Sequence, residues 1–420
     1  MTATTAPSQQ TDPVGPRRPE RVHVIASDAE AIEVARSYAD RIRVGASTRD
    51  AHGTRPWDEV RDLAGTGLLG VTVPSSDGGA DVSTRTVIDI TRIISAADPA
   101  IGQIPQNHFV FVGAIRRQGT PDQQRRFFAE LLAGALLGNA LSERGSKAGP
   151  ANIRTRLERD AAGGFRLNGR KYYSTGALFA QWVPVMALDP DEHLTLAYVE
   201  RDADGVKVVD DWSAMGQRGT ASGTVILDDV HVPDDQVVPY WRTYELPQTA
   251  GAFGQLIHAA IDVAIAEEAL ADAADYVRTR SRAWWESGLD AAGDEPHLLK
   301  LAGELHVKVE AARALVERAA EVIDEVDAGA TNGARLDADG AARASLAVAG
   351  AKAYVTDVVI EVTNELFTLA GTSATDERWN LHRHWRNART HTLHDPARWK
   401  YHHVGNWVLN GTAPPNHGLL

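Results

Sequence analysis

A 420-residue chain with no cysteine and a net charge of −13 excludes disulfides, thiolate catalysis and cysteine-ligated metal, and it lacks the basic surface that nucleic acid requires. Its 43% hydrophobic and 24% charged residues suit a folded globular protein, and its length allows two or three domains or one large multilayer unit. No run of about 18 apolar residues occurs and the N-terminus has no signal-like apolar core, so no membrane span and a cytoplasmic location are expected.

Residues 1–27 read as a flexible tail, rich in Thr, Pro and Gln. A helical domain is expected over 28–145. Its opening stretch, "DAEAIEVARSYADRIRV", sets Ile32, Val34, Ala35, Tyr38 and Ile42 near one face, with Asp28 as N-cap. Within this domain "GTGLLG" (65–70) matches the G-x-G-x-x-G of dinucleotide-binding folds. Pyrophosphate binding needs a strand before such a loop and a helix opening on it. Here "RPWDEVRDLA" before it reads as a helix and "VTVPSSDGG" after it as extended chain. The glycines are therefore expected to end a helix and turn the chain, and no nicotinamide site is expected.

The period changes over 146–245. Phe165 and Leu167 alternate before Asn168-Gly169, a two-residue hairpin signal. "HLTLAYVE", "GVKVVDD" and "GTVILDDVHVP" follow as short strands between Asp/Gly turns, predicting a β-barrel or β-sandwich domain.

Over 246–420 the period returns to helical. Ile257, Ile261 and Ile265 step by four along one helix. Leu298, Leu301, Leu305, Val309, Leu315 and Val322 mark a second, and 346–369 contains a third beyond the break "DAGATNGARLDADG". An antiparallel bundle is predicted, with apolar surface left for another subunit. The fold class is α+β: a helical domain, a β domain and a helical bundle.

Six of the fifteen histidines fall between His382 and His403, in a stretch that also holds Trp385, Trp399 and Tyr401. His391 and His394, at i and i+3, have the spacing of a metal pair on one helical face. No carboxylate or histidine elsewhere stands at matching spacing, so no metal is expected. His382, His384, His402 and His403 read as surface or interface residues. Taken alone, His108 in "PQNHFVF" reads as a core histidine, Trp212 as packing and Arg282 as a solvated or ion-paired arginine.

Three stretches resemble the acyl-CoA dehydrogenase superfamily: "NGRKYYSTGA", "MGQRGTASGTVILDDVHVP" and "RNARTHTLHDP". A stronger likeness is to the flavin-dependent monooxygenases of that fold, in particular the sulfur-acquisition oxidoreductase family, related to dibenzothiophene monooxygenase. "DDWSAMGQR", "SRAWWESG", "YYSTGALFAQWVPV" and the block 383–410 carry it, and it extends from about residue 28 to the C-terminus.

The resemblance implies reduced FMN, with FAD as the other flavin, supplied by a separate NAD(P)H-dependent flavin reductase. It implies dioxygen and a small organosulfur or similar heteroatom substrate, a C4a-flavin hydroperoxide as oxygenating species, a role in sulfur acquisition, and a homotetramer. Flavin contacts would come from Asn139 and Ser142 in "GNALSERG", from Thr175, Trp212 and Ser222, and from Arg282 of a neighbouring subunit on the phosphate. His108 and His394 would flank the flavin as proton carriers, with His391 and Asp395 setting tautomer and orientation. The alternative is an acyl-CoA dehydrogenase using Asp395 as base. Against it, Asp395-Pro396 stands where many dehydrogenases carry Glu followed by Gly-Thr, and the other base position falls on Gln255, which cannot accept a proton.

Overall fold

A computed structural model describes residues 18–145, 153–331 and 336–420. Helix α1 (Asp28–Arg43) is capped by Ser27, whose side chain accepts from the Glu30 N–H. The expected cap, Asp28, instead accepts hydrogen bonds from Ser83 and Thr86 at the start of α4 (Thr84–Ala97), where an anion offsets unpaired backbone N–H groups. Helices α2 (Ala46–His52), α3 (Trp57–Gly65), α5 (Pro99–Gln103), α6 (Gln106–Gln118) and α7 (Pro121–Leu132) complete this layer. The stretch "GTGLLG" ends α3. Gly67 takes the left-handed conformation (φ +81°), and a Cβ there would lie 2.1 Å from the His23 carbonyl oxygen.

The β domain contains β1 (Arg156–Arg159), β2 (Phe165–Lys171), β3 (Trp182–Leu188), β4 (Leu194–Glu200), β5 (Val206–Val209), β6 (Thr224–Val232) and β7 (Val237–Val238). They form one sheet in the order β5-β6-β2-β1-β3-β4-β7. Asn168-Gly169 is not the hairpin turn its sequence suggests. β2 continues through it with a bulge, the register passing from Leu167 opposite Val230 to Gly169 opposite Leu227. Asn168 accepts the Asp229 N–H, and a Cβ at Gly169 would lie 2.4 Å from Thr155 Oγ1. The chain reverses between β1 and β2 earlier, at Asp160, Gly163 and Gly164.

Five helices follow: α8 (Ala250–Thr279), α9 (Pro296–Thr331), α10 (Ala338–Ala370), α11 (His382–His391) and α12 (Ala397–Asn410). Every residue of α8 from 254 to 266 is buried, because α4, α6, α9, α10 and α11 surround it. A helix without a wet face belongs at the centre of its layer. Polar side chains on it must find partners inside, and Gln255, His258 and Asp262 are such side chains. The chain end folds back onto the start of α8: Asn416 donates to the Tyr244 and Leu246 carbonyls, and Leu420 is buried against Gly251. Among the described residues no helix is long and apolar enough to cross a membrane.

Candidate active site

The first half of the site lies on the β domain, where residues 172–177 after β2 meet residues 216–223 before β6. Thr175 Oγ1 and Ser222 Oγ are 2.7 Å apart, Ser222 Oγ and Thr220 Oγ1 also 2.7 Å, and Thr220 Oγ1 donates to the Gln217 carbonyl at 2.9 Å. Tyr173, Gln217 and Ala221 all hold left-handed φ angles, of 57°, 50° and 47°. Such residues each cost on the order of 1–3 kcal/mol and collect where a backbone must present itself to a ligand.

Unpaired polar atoms collect at the same place. Asn139 donates through Nδ2 to the Tyr173 carbonyl, but its Oδ1 is buried without a partner, as are Ser174 Oγ and both amide atoms of Gln217. A flat ring bearing alternating N–H and C=O groups would satisfy them, so these residues fit a flavin. Trp212 donates from Nε1 to the Gln217 carbonyl and meets Tyr173 edge-on, which supports this strained loop. Ser142 is exposed and joined through its backbone to Tyr172. Its neighbours 146–152 lie outside the described residues.

Helix α11 connects this lip to the second half. Asn387 Oδ1 accepts the Gln217 N–H at 2.7 Å, and a Cβ on Gly216 would strike the Arg386 carbonyl oxygen. At the far end of α11, His391 lies between two residues of α8. Its Nδ1 is 2.7 Å from Asp262 Oδ1, and its Nε2 is 3.0 Å from His258 Nδ1. The neutral arrangement that satisfies both contacts has His391 Nδ1–H donating to Asp262 and His258 Nδ1–H donating to His391. His394 stacks on His258 with ring centroids 3.9 Å apart, and its Nδ1 is 3.4 Å from Asp395 Oδ1.

Asp395 is held on both oxygens. Lys352 of α10 donates to Oδ1 and to Gln255, while Lys400 of α12 lies 2.8 Å from Oδ2. Burial alone would raise the carboxyl pKa, but the His394 hydrogen bond and the two ammonium groups hold it far below the usual range. Burial pushes His258 well down, aided by His394 and Lys352. It also lowers His394, against its hydrogen bond to Asp395. The His394 side chain is 40% exposed, whereas those of His391 and Asp395 are almost fully enclosed. The cluster thus presents one imidazole to the outside and backs it with fixed charge.

The structure therefore brings together His391, His394 and Asp395, and separately Asn139, Thr175, Trp212 and Ser222. His108 stands apart. Its Nε2–H donates to the Leu69 carbonyl at 2.7 Å, and its Nδ1 accepts the Leu137 N–H at 3.1 Å. Full burial pushes it down to about 4. With both nitrogens used by backbone, it ties α6 to neighbouring loops and has no nitrogen left for a flavin. Arg282 is exposed just beyond α8. His384, expected at the surface, is buried and paired with Asp272 at 2.7 Å, because α11 packs this face on α8. Sequence reasoning missed His258, Asp262, Lys352 and Lys400, the partners that complete the network.

Three acyl-CoA dehydrogenase domain families match the chain: the N-terminal domain at residues 28–135, the middle domain at 138–230 and the C-terminal domain at 256–399. The chain is 31% identical over 398 residues to dibenzothiophene monooxygenase of Mycolicibacterium goodii, covering 92% of this chain and 95% of the relative. It is 29% identical over 389 residues to a probable FMNH2-dependent monooxygenase, SfnC, of Pseudomonas putida, covering 91% and 96%. Among solved structures, FMN-bound TdsC from Paenibacillus sp. A11-2 superposes with a TM-score of 0.87 at 29% identity, covering 93% of this chain and 100% of that one. Methanesulfinate monooxygenase MsuC from Pseudomonas fluorescens gives 0.85 at 28% identity, covering 93% and 99%. With its helical, β and helical domains in that order, the chain belongs to the FMN-dependent monooxygenases of the acyl-CoA dehydrogenase fold, the family of dibenzothiophene monooxygenase.

Proposed function

We propose that the protein is the oxygenase of a two-component system serving sulfur acquisition, in which a separate NAD(P)H-dependent reductase delivers reduced FMN. Its substrate is a small organosulfur compound. The observation that carries this reading is the state of Asp395. A dehydrogenase of this fold would need that carboxylate as a base, and a carboxylate clamped between two ammonium groups is a very weak one. The proton-handling group is His394 instead.

Reduced FMN, when bound, supplies the electrons with which one atom of dioxygen enters the substrate and the other leaves as water. The residues of the chain manage binding and protons. Thr175, Ser222, Asn139 and Gln217 would hold the ring through their polar groups, with Trp212 bracing the loop. His394 holds or releases a proton at Nε2, the nitrogen turned away from Asp395. Burial lowers its pKa against its hydrogen bond to Asp395, so its protonated form returns a proton more readily than an ordinary histidine. His391 and Asp262 fix His258, and His258 in turn fixes the plane of His394. The related enzymes named for dibenzothiophene and for methanesulfinate act on molecules of very different size that share an oxidisable sulfur, which supports an organosulfur class here.

The test is direct. Protein mixed with chemically reduced FMN and 18O-labelled dioxygen is offered dibenzothiophene or methanesulfinate, and product is analysed by mass spectrometry. One labelled atom per product molecule is expected. Oxidation of an acyl-CoA without label uptake would establish the dehydrogenase instead.

Two further outcomes follow from the surface. Trp284 and Trp285 beside Arg282, Leu299, Val307 and Leu315 on α9, and Trp407, Val408 and Leu409 on α12 are all exposed. Apolar surface of this extent belongs at subunit contacts, so a homotetramer is expected by sedimentation, and a stable monomer at micromolar concentration would contradict it. If Arg282 reaches the flavin phosphate of a neighbour, Arg282→Ala should weaken FMN binding by about 1.5–3 kcal/mol, the worth of a charge-assisted hydrogen bond. An unchanged Kd on fluorescence titration would assign the phosphate to Arg278 or Arg280.

A further inference from the structure

We infer that Lys352 is a positioning residue that sets the protonation state of His394 through the carboxylate they share. Lys352 comes from α10, a helix whose inward face is otherwise mostly Ala and Val, and the whole residue is 4% exposed. A buried ammonium carries a large desolvation penalty and persists only where its partners are well placed. Its partners are Asp395 Oδ1 and the Gln255 side-chain carbonyl. Asp395 Oδ1 is also the oxygen nearest His394 Nδ1. Lys400 takes the other oxygen, Oδ2, and is held from behind by the Leu419 carbonyl.

Two ammonium groups therefore share one carboxylate, and only one of them uses the oxygen that faces the imidazole. Lys352 acts on His394 in two ways that add. Its charge opposes a second proton on the ring, and it draws on the carboxylate charge that would otherwise stabilise the imidazolium. The other ionisable groups described around His394 come from α8, α11 and α12. His258 of α8 stacks on it, His391 of α11 bonds that histidine and Asp262 behind it, and Lys400 of α12 lies across Asp395. Among these groups the two lysines are the cations paired with the carboxylate. The result is an imidazole kept neutral with its tautomer fixed, Nδ1–H toward Asp395, leaving the Nε2 lone pair free for the reaction.

The inference rests on the proposed role of His394, but its test does not need turnover. Flavin-free protein with 13C-labelled histidine is titrated by NMR, and the His394 ring signal is identified by its loss in His394→Gln. In the parent, the midpoint should lie below that of a free imidazole; a midpoint above it overturns the inference. In Lys352→Gln, which keeps a hydrogen-bond donor and removes the charge, the midpoint should rise by about one to two pH units, the scale of a unit charge at short range in a protein. Lys400→Gln should shift it by less than half as much. Lys352→Arg, which keeps the charge, should leave it near the parent value. An unmoved midpoint in folded Lys352→Gln, or an equal shift in Lys400→Gln, overturns the assignment. In the loaded enzyme the acid-side loss of product should move up in pH with the same variant. If the NMR midpoint moves and product formation does not, the inference stands and the role of His394 falls.

Discussion

His394→Ala is expected to bind reduced flavin and to consume oxygen, yet to give product about 10²–10⁴-fold more slowly than the parent, with hydrogen peroxide taking its place. Flavin binding should survive because the polar atoms that fit the ring come from Asn139, Ser174, Thr175, Gln217 and Ser222, none of which contacts His394. Coupling should fail because the alanine removes the exposed ring of the cluster, and with it the Nε2 proposed to handle the proton. His258 cannot substitute. It is buried, its Nδ1 is committed to His391, and its pKa is pushed far down by burial. His402→Ala is the matched control: this residue is exposed on α12, beside the rings of Trp399 and His403. Stopped-flow oxidation of each reduced variant, followed by peroxide and product assays, decides the matter. Product at the parental rate from His394→Ala would remove the cluster from the chemistry.

Legibility in the sequence followed the range of the interactions. The three-part order was readable because helical and strand periods are local. His391, His394 and Asp395 were readable because they are crowded within one short stretch. Their partners were not, since His258 and Asp262 sit in a helix that its isoleucines mark as core. Gln255, His258 and Asp262 at i, i+3 and i+7 trace a polar line along one side of that apolar helix, and Lys352 interrupts "AGAKAYV" in the same way. A buried polar residue needs a partner, and that requirement is legible even when the partner is not. The errors have the same origin. Asn168-Gly169 suits both a tight turn and a bulge, and the choice is made by β6 and by Thr155 across the sheet. His384 looks like a surface histidine until Asp272, 112 positions away, is found beside it.

Asp395→Asn should be among the most destabilising single-atom changes available in this chain, and the deficit should shrink as pH rises. Asparagine keeps the shape of the side chain but leaves Lys352 and Lys400 facing each other in the interior without a counter-charge. Removing one partner of a buried ionic group costs about 3–5 kcal/mol at neutral pH. In the parent, the depressed Asp395 pKa means its contribution is complete above the unfolded carboxyl value of about 4 and is lost only as pH falls below that. Between pH 6 and 9 this group therefore adds no slope. The variant behaves otherwise. Burial already lowers Lys400, and Asp395 is what opposes that shift. Once the carboxylate is gone, at least one of the two lysines holds its proton less tightly in the folded chain than in the unfolded one. The unfolded state then binds more protons, so stability rises with pH. Urea denaturation of parent and variant at pH 7 and pH 9 measures both effects, and protein too unstable to purify at pH 7 can be prepared at pH 9. A deficit below about 1 kcal/mol would mean that the two ammonium groups are already solvated. A deficit as large at pH 9 as at pH 7 would mean that the damage is one of shape, and the clamp would lose its electrostatic meaning.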